Sequence, residues 1–314
     1  AKERVIDVTK VLGETLSISM SVQSADEQVL TNVGRKNIKM DHYQEIADSL
    51  NAQGRPQHAE VIMPLPGETF DTHITGLNQL LDTNVSRVLS HTLQILHGTP
   101  YKDDDNYRTE HDYVTKFRIV PLDFSQLGEE RIFDVEEVGV STKSFSFEEY
   151  VEARKYLLVL DLCFSSGVFE PLKKYLATRN VKNSELARQI YSRIEGMDQE
   201  LQQIFNSFVD ETKAELWDTE AELIEYYSKS ENYEKLVNYD AGGNVLFKHR
   251  IWALTQRSES WVNEVFDDTL QVILTLGTEG SETNIRKELD SLKHYVLLTL
   301  TDAFSPKGIE HSLE

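Results

Sequence analysis

The sequence predicts a mixed α/β N-terminal part followed by an α-helical C-terminal domain. Three strand–helix units occupy about residues 1–100, residues 101–145 form a connecting segment with two short predicted strands, and residues 146–314 carry patterns of helical period. Strand–helix repetition is typical of a parallel sheet or barrel that is covered by helices. The boundary between the two parts lies in the connecting segment, where a period of two gives way to helices.

The first predicted strand lies within Thr15–Ser24, where apolar and polar residues alternate without a break. One face carries Leu16, Ile18, Met20 and Val22, and the other carries Ser17, Ser19, Ser21 and Gln23. A period of two indicates a strand, and an ordinary surface strand would expose its polar row to water. In a helix-covered barrel the polar row instead faces the interior, where a ligand would bind. The strand–helix repetition favours this second arrangement.

The second and third units have the same order of elements. The second strand is predicted at His58–Met63, and the turn Pro64–Thr69 leads from it into a helix at Phe70–Leu81. The third strand is predicted at Arg87–Leu96. Further helices are predicted at Val5–Leu12, Glu27–Val33 and Tyr43–Leu50.

The connecting segment is predicted as a polar loop at Tyr101–Tyr113 and two strands at Phe117–Pro121 and Arg131–Ser141, with a turn at Gln126–Glu129 between them. The helical domain begins at Ser146-Phe-Glu-Glu149, a capping box in which the serine oxygen accepts from an early backbone N–H. Later helices are predicted at Phe169–Thr178, Ser184–Gly196, Leu201–Tyr227, Val245–Thr255, Trp261–Leu276 and Ile285–Phe304.

Composition excludes several classes of function. The formal net charge of the 314 residues is -21, and phosphate contacts need a surplus of Lys and Arg, so we expect neither nucleic acid nor an anionic membrane as a partner. No apolar run is long enough to cross a bilayer. The single cysteine, Cys163, fits a reducing cytoplasm and excludes an intrachain disulfide.

Eight short segments, in this order, resemble the second half of a radical S-adenosylmethionine (SAM) enzyme of the branch that carries a cobalamin-binding domain. They are Ser21-Val-Gln-Ser-Ala-Asp26, Arg35-Lys-Asn-Ile38, Leu65-Pro-Gly-Glu-Thr69, His97-Gly-Thr-Pro100, Thr115-Lys-Phe-Arg-Ile119, Val135-Glu-Glu-Val138, Ser146-Phe-Glu-Glu-Tyr150 and, more loosely, Val168-Phe-Glu-Pro-Leu172. The resemblance covers about residues 15–175. It implies that residues 1–100 form the C-terminal half of a partial (β/α) barrel.

The family binds a [4Fe–4S] cluster through three cysteines in a C-x-x-x-C-x-x-C loop, and this chain has one cysteine. We therefore expect a piece of a larger enzyme, whose N-terminal half would carry the cluster loop and the cobalamin domain and would be a partner of this chain. SAM, the cluster and cobalamin are implied for the full-length protein. None of them is expected on this piece, which should be inactive alone. Its cut barrel edge should pair with a second copy in a homodimer, or be capped by the N-terminal residues or the helical domain of the chain itself.

Five residues are candidates for contact with the cofactor or substrate. The hydroxyl of Ser21 and the amide of Gln23 can hydrogen-bond a ribose or the methionyl group of SAM, and the resemblance implies that their strand does so. A polar layer filled by water or packed serines is the structural alternative. Glu60 is expected either to line the cavity or to pair with a group on a neighbouring strand, because a buried carboxylate without a partner is costly.

The resemblance also implies that the turn containing Leu65 and Gly67 approaches the adenine. Many members of the family have glycine where this chain has Pro64, and the geometry of a strand-to-helix turn explains every residue without a ligand. We assign no catalytic residue and no metal ligand.

The leading functional prediction is a C-terminal fragment of a cobalamin-type radical SAM enzyme, an iron–sulfur oxidoreductase or methyltransferase, that contributes part of the cavity for SAM and an unknown small-molecule substrate. The alternative is a non-catalytic binding or scaffold protein with a degenerate barrel that lacks the cluster. Cys163 is predicted to be a small core residue, and the three tryptophans to be core anchors.

Overall fold

The computed structural model describes residues 18–36, 40–54, 57–83 and 85–304. Three parallel strands, β1 (Ile18–Gln23), β2 (Gln57–Met63) and β3 (Arg87–Thr92), form a sheet in the order β1-β2-β3. The helices between them are α1 (Glu27–Asn32), α2 (Met40–Asn51) and α3 (Phe70–Leu81). The predicted strand–helix order is therefore confirmed for the described residues, whereas the predicted helix Val5–Leu12 lies outside them.

The two faces of β2 differ in burial. Ala59, Val61 and Met63 are at most 3% exposed, while His58, Glu60 and Ile62 alternate with them and are half-buried. Ala59 and Val61 pack in one apolar core with residues of the surrounding helices. The predicted burial of the apolar row under helices is thus confirmed for this strand, and Glu60 and Ile62 of the other row line a cavity.

Within the described residues β1 pairs with β2 alone, so its other edge has no strand partner there. A closed or half-closed barrel is not established by three strands. What the structure shows is a small parallel sheet whose apolar row packs in one core with helices.

The connecting segment contains a long antiparallel hairpin, β4 (Val114–Leu127) and β5 (Glu130–Ser141), where the sequence predicted two short strands. The pairing shifts register between Ile119 and Phe124, and Leu122 has a left-handed backbone with φ of 65°. A bulge at this point accommodates Pro121, which cannot donate to a ladder, and pairing resumes beyond it. The prediction ended the first strand at this proline and was therefore too short.

The hairpin connects the sheet to the helical region. Gly139 N–H donates to the Leu93 carbonyl at 2.8 Å, so β5 runs beside the segment that follows β3. On the other side, the backbone groups of Phe117 and Trp217 exchange two hydrogen bonds of 2.8 Å.

The polar loop predicted at Tyr101–Tyr113 instead contains two short helices, α4 (Pro100–Asp103) and α5 (Asp105–Glu110). Asp104 caps α5 by accepting from the backbone N–H groups of Asn106 and Tyr107. Such local capping stabilises a short polar helix without the apolar period used to predict helices.

The rest of the chain is helical. Its helices are α6 (Phe147–Leu160), α7 (Glu170–Thr178), α8 (Asn183–Arg193), α9 (Gln199–Ala214), α10 (Glu220–Tyr227), α11 (Ser230–Val237), α12 (Val245–Ile251), α13 (Ser258–Leu276) and α14 (Glu282–Phe304). The Ser146–Glu149 capping box is present, with both reciprocal hydrogen bonds. Single π-helical turns, Asp161–Ser165 and Trp252–Gln256, extend α6 and α12.

The helix predicted at Leu201–Tyr227 is two helices, α9 and α10. The chain leaves α9 after Ala214, because the backbone of Trp217 pairs with Phe117, and it re-enters a helix at Thr219, whose side chain caps α10. In the part of the chain that is described, no helix is long and apolar enough to cross a membrane.

Candidate functional site

A cavity of about 540 Å³ lies against the half-buried face of the sheet, toward the carboxyl ends of the strands. Four of the five predicted site residues, Ser21, Gln23, Glu60 and Leu65, contribute to its lining. Ser21 and Glu60 are partners in the parallel register of β1 and β2, so their side chains lie next to each other. A volume of this size is in the range of small-molecule and cofactor sites.

Gln23 reaches the cavity through an irregular end of β1. The register shifts between Ser21 and Gln23, and Gln23 has a left-handed backbone with φ of 61°. A residue with a side chain seldom adopts this conformation, and such residues concentrate at functional sites. The shift places Gln23 opposite Val61 and keeps its amide on the cavity side.

Glu60 lines the cavity, which was the first alternative for it, and the partner of its carboxylate differs from the one that the second alternative predicted. Its side chain lines the cavity, and its Oε1 lies 3.1 Å from Nε2 of His58 on the same strand. Both side chains are a little over a quarter exposed, at 28% and 27%. The partner is on the same strand, two residues away, and not on a neighbouring strand as we expected.

Gly67 does not contribute to the lining of this cavity. Its φ is +80°, and a Cβ atom on it would lie 2.5 Å from Nδ2 of Asn32, which donates to the Pro66 carbonyl at 2.8 Å. Only glycine fits such a close approach. Gly67 therefore supports the explanation that turn geometry alone requires a glycine there. Its location outside the cavity lining gives no support to the predicted contact with a cofactor.

A buried polar network holds Leu65 at the cavity. Glu68 Oε2 accepts from the Leu65 backbone N–H at 3.0 Å, and its Oε1 lies 2.9 Å from His73 Nδ1. His73 Nε2 lies 3.2 Å from Ser90 Oγ, and all three side chains are at most 6% exposed. Sequence reasoning placed Glu68 at a helix N-terminus and missed His73, because the contact joins β3 to α3 and leaves no local pattern.

Arg118 is the main feature of the cavity that the sequence analysis did not single out. It lies on β4, lines the cavity, and pairs with Glu136 at 2.6 Å and with Glu215 at 3.0 Å. Burial by itself would lower the pKa of Arg118, but the two carboxylates outweigh it and hold that pKa above its usual value. Arg118 is therefore a fixed cation at the edge of the site.

The donors and acceptors of the cavity suit a polar organic ligand. The Ser21 hydroxyl and the Gln23 amide can both donate and accept, while Glu60 accepts from hydroxyl or ammonium groups. Apolar walls come from Ile62, Leu93 and Leu96. Such a combination can orient a ribose or an amino acid group.

An iron–sulfur cluster does not fit the residues of this chain. Its one cysteine, Cys163, lies in the π-helical turn that follows α6 and is 1% exposed. Burial first, and then the nearby Asp268, raise the pKa of its thiol well above the usual value, which disfavours the thiolate that metals bind. The described residues also contain no group of three metal-binding side chains.

Comparison with known proteins supports a distant relationship to one family. No family model matches the chain. A segment of 104 residues, which is 32% of this chain, is 30% identical to the cobalamin-dependent radical SAM methyltransferase TokK from Streptomyces tokunonensis. The match covers 15% of that protein, so the chain corresponds to a small part of the curated relative. The similarity indicates a distant relationship to a cobalamin-dependent radical SAM methyltransferase.

Proposed function

We propose that this chain provides part of the SAM- and substrate-binding cavity of a cobalamin-type radical SAM enzyme. The observation that carries the proposal is the convergence of Ser21, Gln23, Glu60 and Leu65 on one cavity at the carboxyl ends of parallel strands. Ligands in parallel α/β folds bind at this end of the strands. The similarity to a cobalamin-dependent radical SAM methyltransferase supplies the family.

In this proposal the cluster and the cobalamin belong to another part of the same protein, since one buried thiol cannot ligate a cluster. The outer edge of β1, which has no strand partner among the described residues, is where further strands of a (β/α) barrel would pair. The residues of this chain then bind and orient SAM and the substrate and exclude water, while the cofactors supply the radical or methyl-transfer chemistry. By itself the chain is inactive, and the whole protein is cytoplasmic.

The coding sequence is the most direct test. A reading frame that continues upstream into a C-x-x-x-C-x-x-C loop and a cobalamin domain supports the proposal. A complete reading frame without that loop overturns it.

Calorimetry with SAM tests the cavity itself. In the family the cluster iron holds the methionyl amine and carboxylate, so this chain should bind SAM weakly or not at all. In the cluster-bearing protein, Gln23→Ala should weaken SAM binding about tenfold, because an amide that bonds a charged group is lost. Micromolar binding of SAM by the isolated chain would contradict the proposal that the cluster and this chain each provide part of the SAM site.

The second candidate is a non-catalytic binding or scaffold protein that kept the sheet and lost the cluster. The observation in its favour is the burial of the one cysteine. The same upstream sequence distinguishes it from the enzyme.

A further inference from the structure

A second cavity, of about 420 Å³, lies between β3 and the helical region. It shares His91, Thr92 and Arg118 with the first cavity, so the two are neighbours. Its charged lining consists of Arg87, Arg118, Arg154, Arg250, Asp161 and Glu215. Four cations therefore face two carboxylates, a local positive surplus in a chain whose net charge is -21.

Both carboxylates of the cavity already have partners. Arg250 Nη1 lies 3.1 Å from each carboxylate oxygen of Asp161, and Glu215 accepts from Arg118 at 3.0 Å. Within each pair the positive and the negative charge neutralise each other. The surplus charge thus comes from Arg87 and Arg154.

Arg154, on α6, is the unusual member of the set. It is 8% exposed, and its buried Nε has no hydrogen-bond partner. Among the described residues its side chain forms no hydrogen bond and no ion pair, and its guanidinium carbon lies 5.8 Å from the centroid of the Phe208 ring. An aromatic face attracts a cation but does not replace a carboxylate.

A buried cation without a counterion destabilises the folded protein. Proteins keep such a group mainly where it has a function. A guanidinium that lacks a protein acceptor and lines a cavity is suited to bind an oxyanion from outside, through two parallel N–H···O bonds. The exposed side chain of Arg87 and the imidazole of His91 lie in the same lining and extend the polar surface.

We propose that this second cavity binds the oxyanion of a small molecule, a carboxylate or a phosphate, and that Arg154 is the residue that binds it. The inference deepens the proposed function. Only the identification of the bound anion as the substrate rests on that function. The anion site itself belongs to this chain and needs neither SAM nor a cluster. The substrate class that follows is an anionic small molecule whose charged end lies on Arg154 and whose other end extends toward the first cavity.

Calorimetry and thermal unfolding with inorganic phosphate and with succinate, at an ionic strength held constant with sodium chloride, test the proposal. The wild-type chain should bind at least one of the two anions saturably and be stabilised by it. The anion that binds more tightly identifies the carboxylate or phosphate source. Arg154→Met should weaken that binding about tenfold or more.

The control variant is Arg286→Met, which removes the same charge from an exposed position on α14 and should bind the anion as the wild type does. Without ligand, Arg154→Met should melt about 2 °C or more above the wild type, because the uncompensated charge is gone. If Arg154→Met fails to fold, Arg87→Gln provides a second test at the exposed rim of the cavity. This variant should bind the anion about threefold more weakly, because one positive charge is lost.

Two outcomes would overturn the inference: no saturable binding of either anion, or equal binding by the wild type and Arg154→Met. Neither outcome bears on the cluster or on the upstream sequence. Anion binding to a protein whose reading frame lacks the cysteine loop would keep the anion site and reject the radical SAM assignment.

Discussion

At the scale of single residues, Gln23 combines a strained backbone with a side chain that faces a cavity. Its φ of 61° lies in the left-handed region, which costs a residue with a Cβ about 1–2 kcal/mol. Glycine would relieve that strain but would remove the amide. A strained residue whose side chain lines the cavity fits a role for the amide in the site.

The backbone strain at Gln23 predicts an order of stability for two variants. Gln23→Gly should be more stable than Gln23→Ala by about 0.5–1 kcal/mol, since both lose the amide and only alanine keeps the steric penalty. Urea unfolding of both purified variants measures this difference. An alanine variant as stable as the glycine variant would show that the left-handed backbone is not the source of strain.

His249 predicts a dependence of stability on pH. The ring is fully buried, its Nδ1 donates to the Val245 carbonyl at 2.9 Å, and its Nε2 lies 3.7 Å from Glu211. Burial lowers the pKa of His249 below its usual 6.5, although the Val245 carbonyl and Glu211 act in the opposite direction. The unfolded chain therefore binds a proton more readily than the folded chain between the lowered pKa and 6.5.

The free energy of unfolding should accordingly fall as the pH decreases below about 6.5 toward the lowered pKa of His249. Above that range the contribution is constant. His249→Gln should show a smaller loss of stability than the wild type between pH 7 and pH 5.5, measured by urea unfolding in matched buffers. Parallel pH profiles for the two proteins would contradict the assignment to His249.

At the scale of elements, the buried network of Glu68, His73 and Ser90 connects β3, α3 and the turn that carries Leu65. The bond from the Leu65 N–H to Glu68 lies within the turn, and the bonds from Glu68 to His73 and from His73 to Ser90 connect that turn to α3 and then to β3. The position of Leu65 at the cavity therefore depends on a local turn that is anchored to two neighbouring elements.

Removal of Glu68 should therefore destabilise the protein and loosen the cavity. Glu68→Ala leaves the Leu65 N–H and the His73 ring without their buried partner, which should cost about 1–3 kcal/mol. The matched control is Glu148→Ala, an exposed carboxylate in the first turn of α6, which should cost no more than about 0.5 kcal/mol. Equal effects of the two substitutions on urea unfolding would refute the structural role of Glu68.

At the scale of the whole molecule, the small sheet, the hairpin and the helices form one connected arrangement. One apolar core includes residues of β2, α3, α6 and α13, so the sheet and the helical region share buried surface. The first cavity lies on the face of the sheet that carries Glu60 and Ile62, and the second runs along the whole of β3, against the hairpin and α12. A ligand that occupies both would contact the sheet and the helical region together.

The purified chain should stay colourless after anaerobic reconstitution with iron and sulfide. Its only thiol is buried, with a raised pKa, and a cluster needs several thiolates. Absorbance at roughly 400 nm, where iron–sulfur charge transfer absorbs, provides the measurement. A stoichiometric band there would disprove the prediction, and a ferredoxin treated in parallel confirms that the reagents work.

The outer edge of β1 has no strand partner in the part of the chain that is described, and this predicts self-association. Unpaired N–H and C=O groups on a strand edge recruit other chains, and the net charge of -21 opposes extended aggregation, so a defined homodimer is expected. Light scattering after gel filtration should show twice the mass of 36.0 kDa at high protein concentration. Added salt should strengthen the dimer by screening the repulsion. A monomer under all these conditions would contradict it.

The sequence by itself determined the order of strands and helices from β1 to β3, the capping box at Ser146 and the sidedness of β2. These features depend on local periodicity and on neighbouring side chains, which a sequence displays directly. Ser21, Gln23 and Glu60 were also recognised as candidates for one site, because their polar rows were expected to face the interior of a helix-covered sheet, and Leu65 was a candidate only through the family resemblance.

The tertiary structure alone decided the rest. The length of the hairpin depends on a bulge at Leu122, and the break between α9 and α10 depends on the pairing of Trp217 with Phe117. The presence of Arg118 and Arg154 in the cavities likewise depends on contacts between distant segments. Each of these features joins segments that are distant along the chain. Pairing and burial between distant segments leave no periodic signal in a single sequence. The partner of each residue therefore becomes visible only in the folded protein, as does the lack of a partner for Arg154 among the described residues.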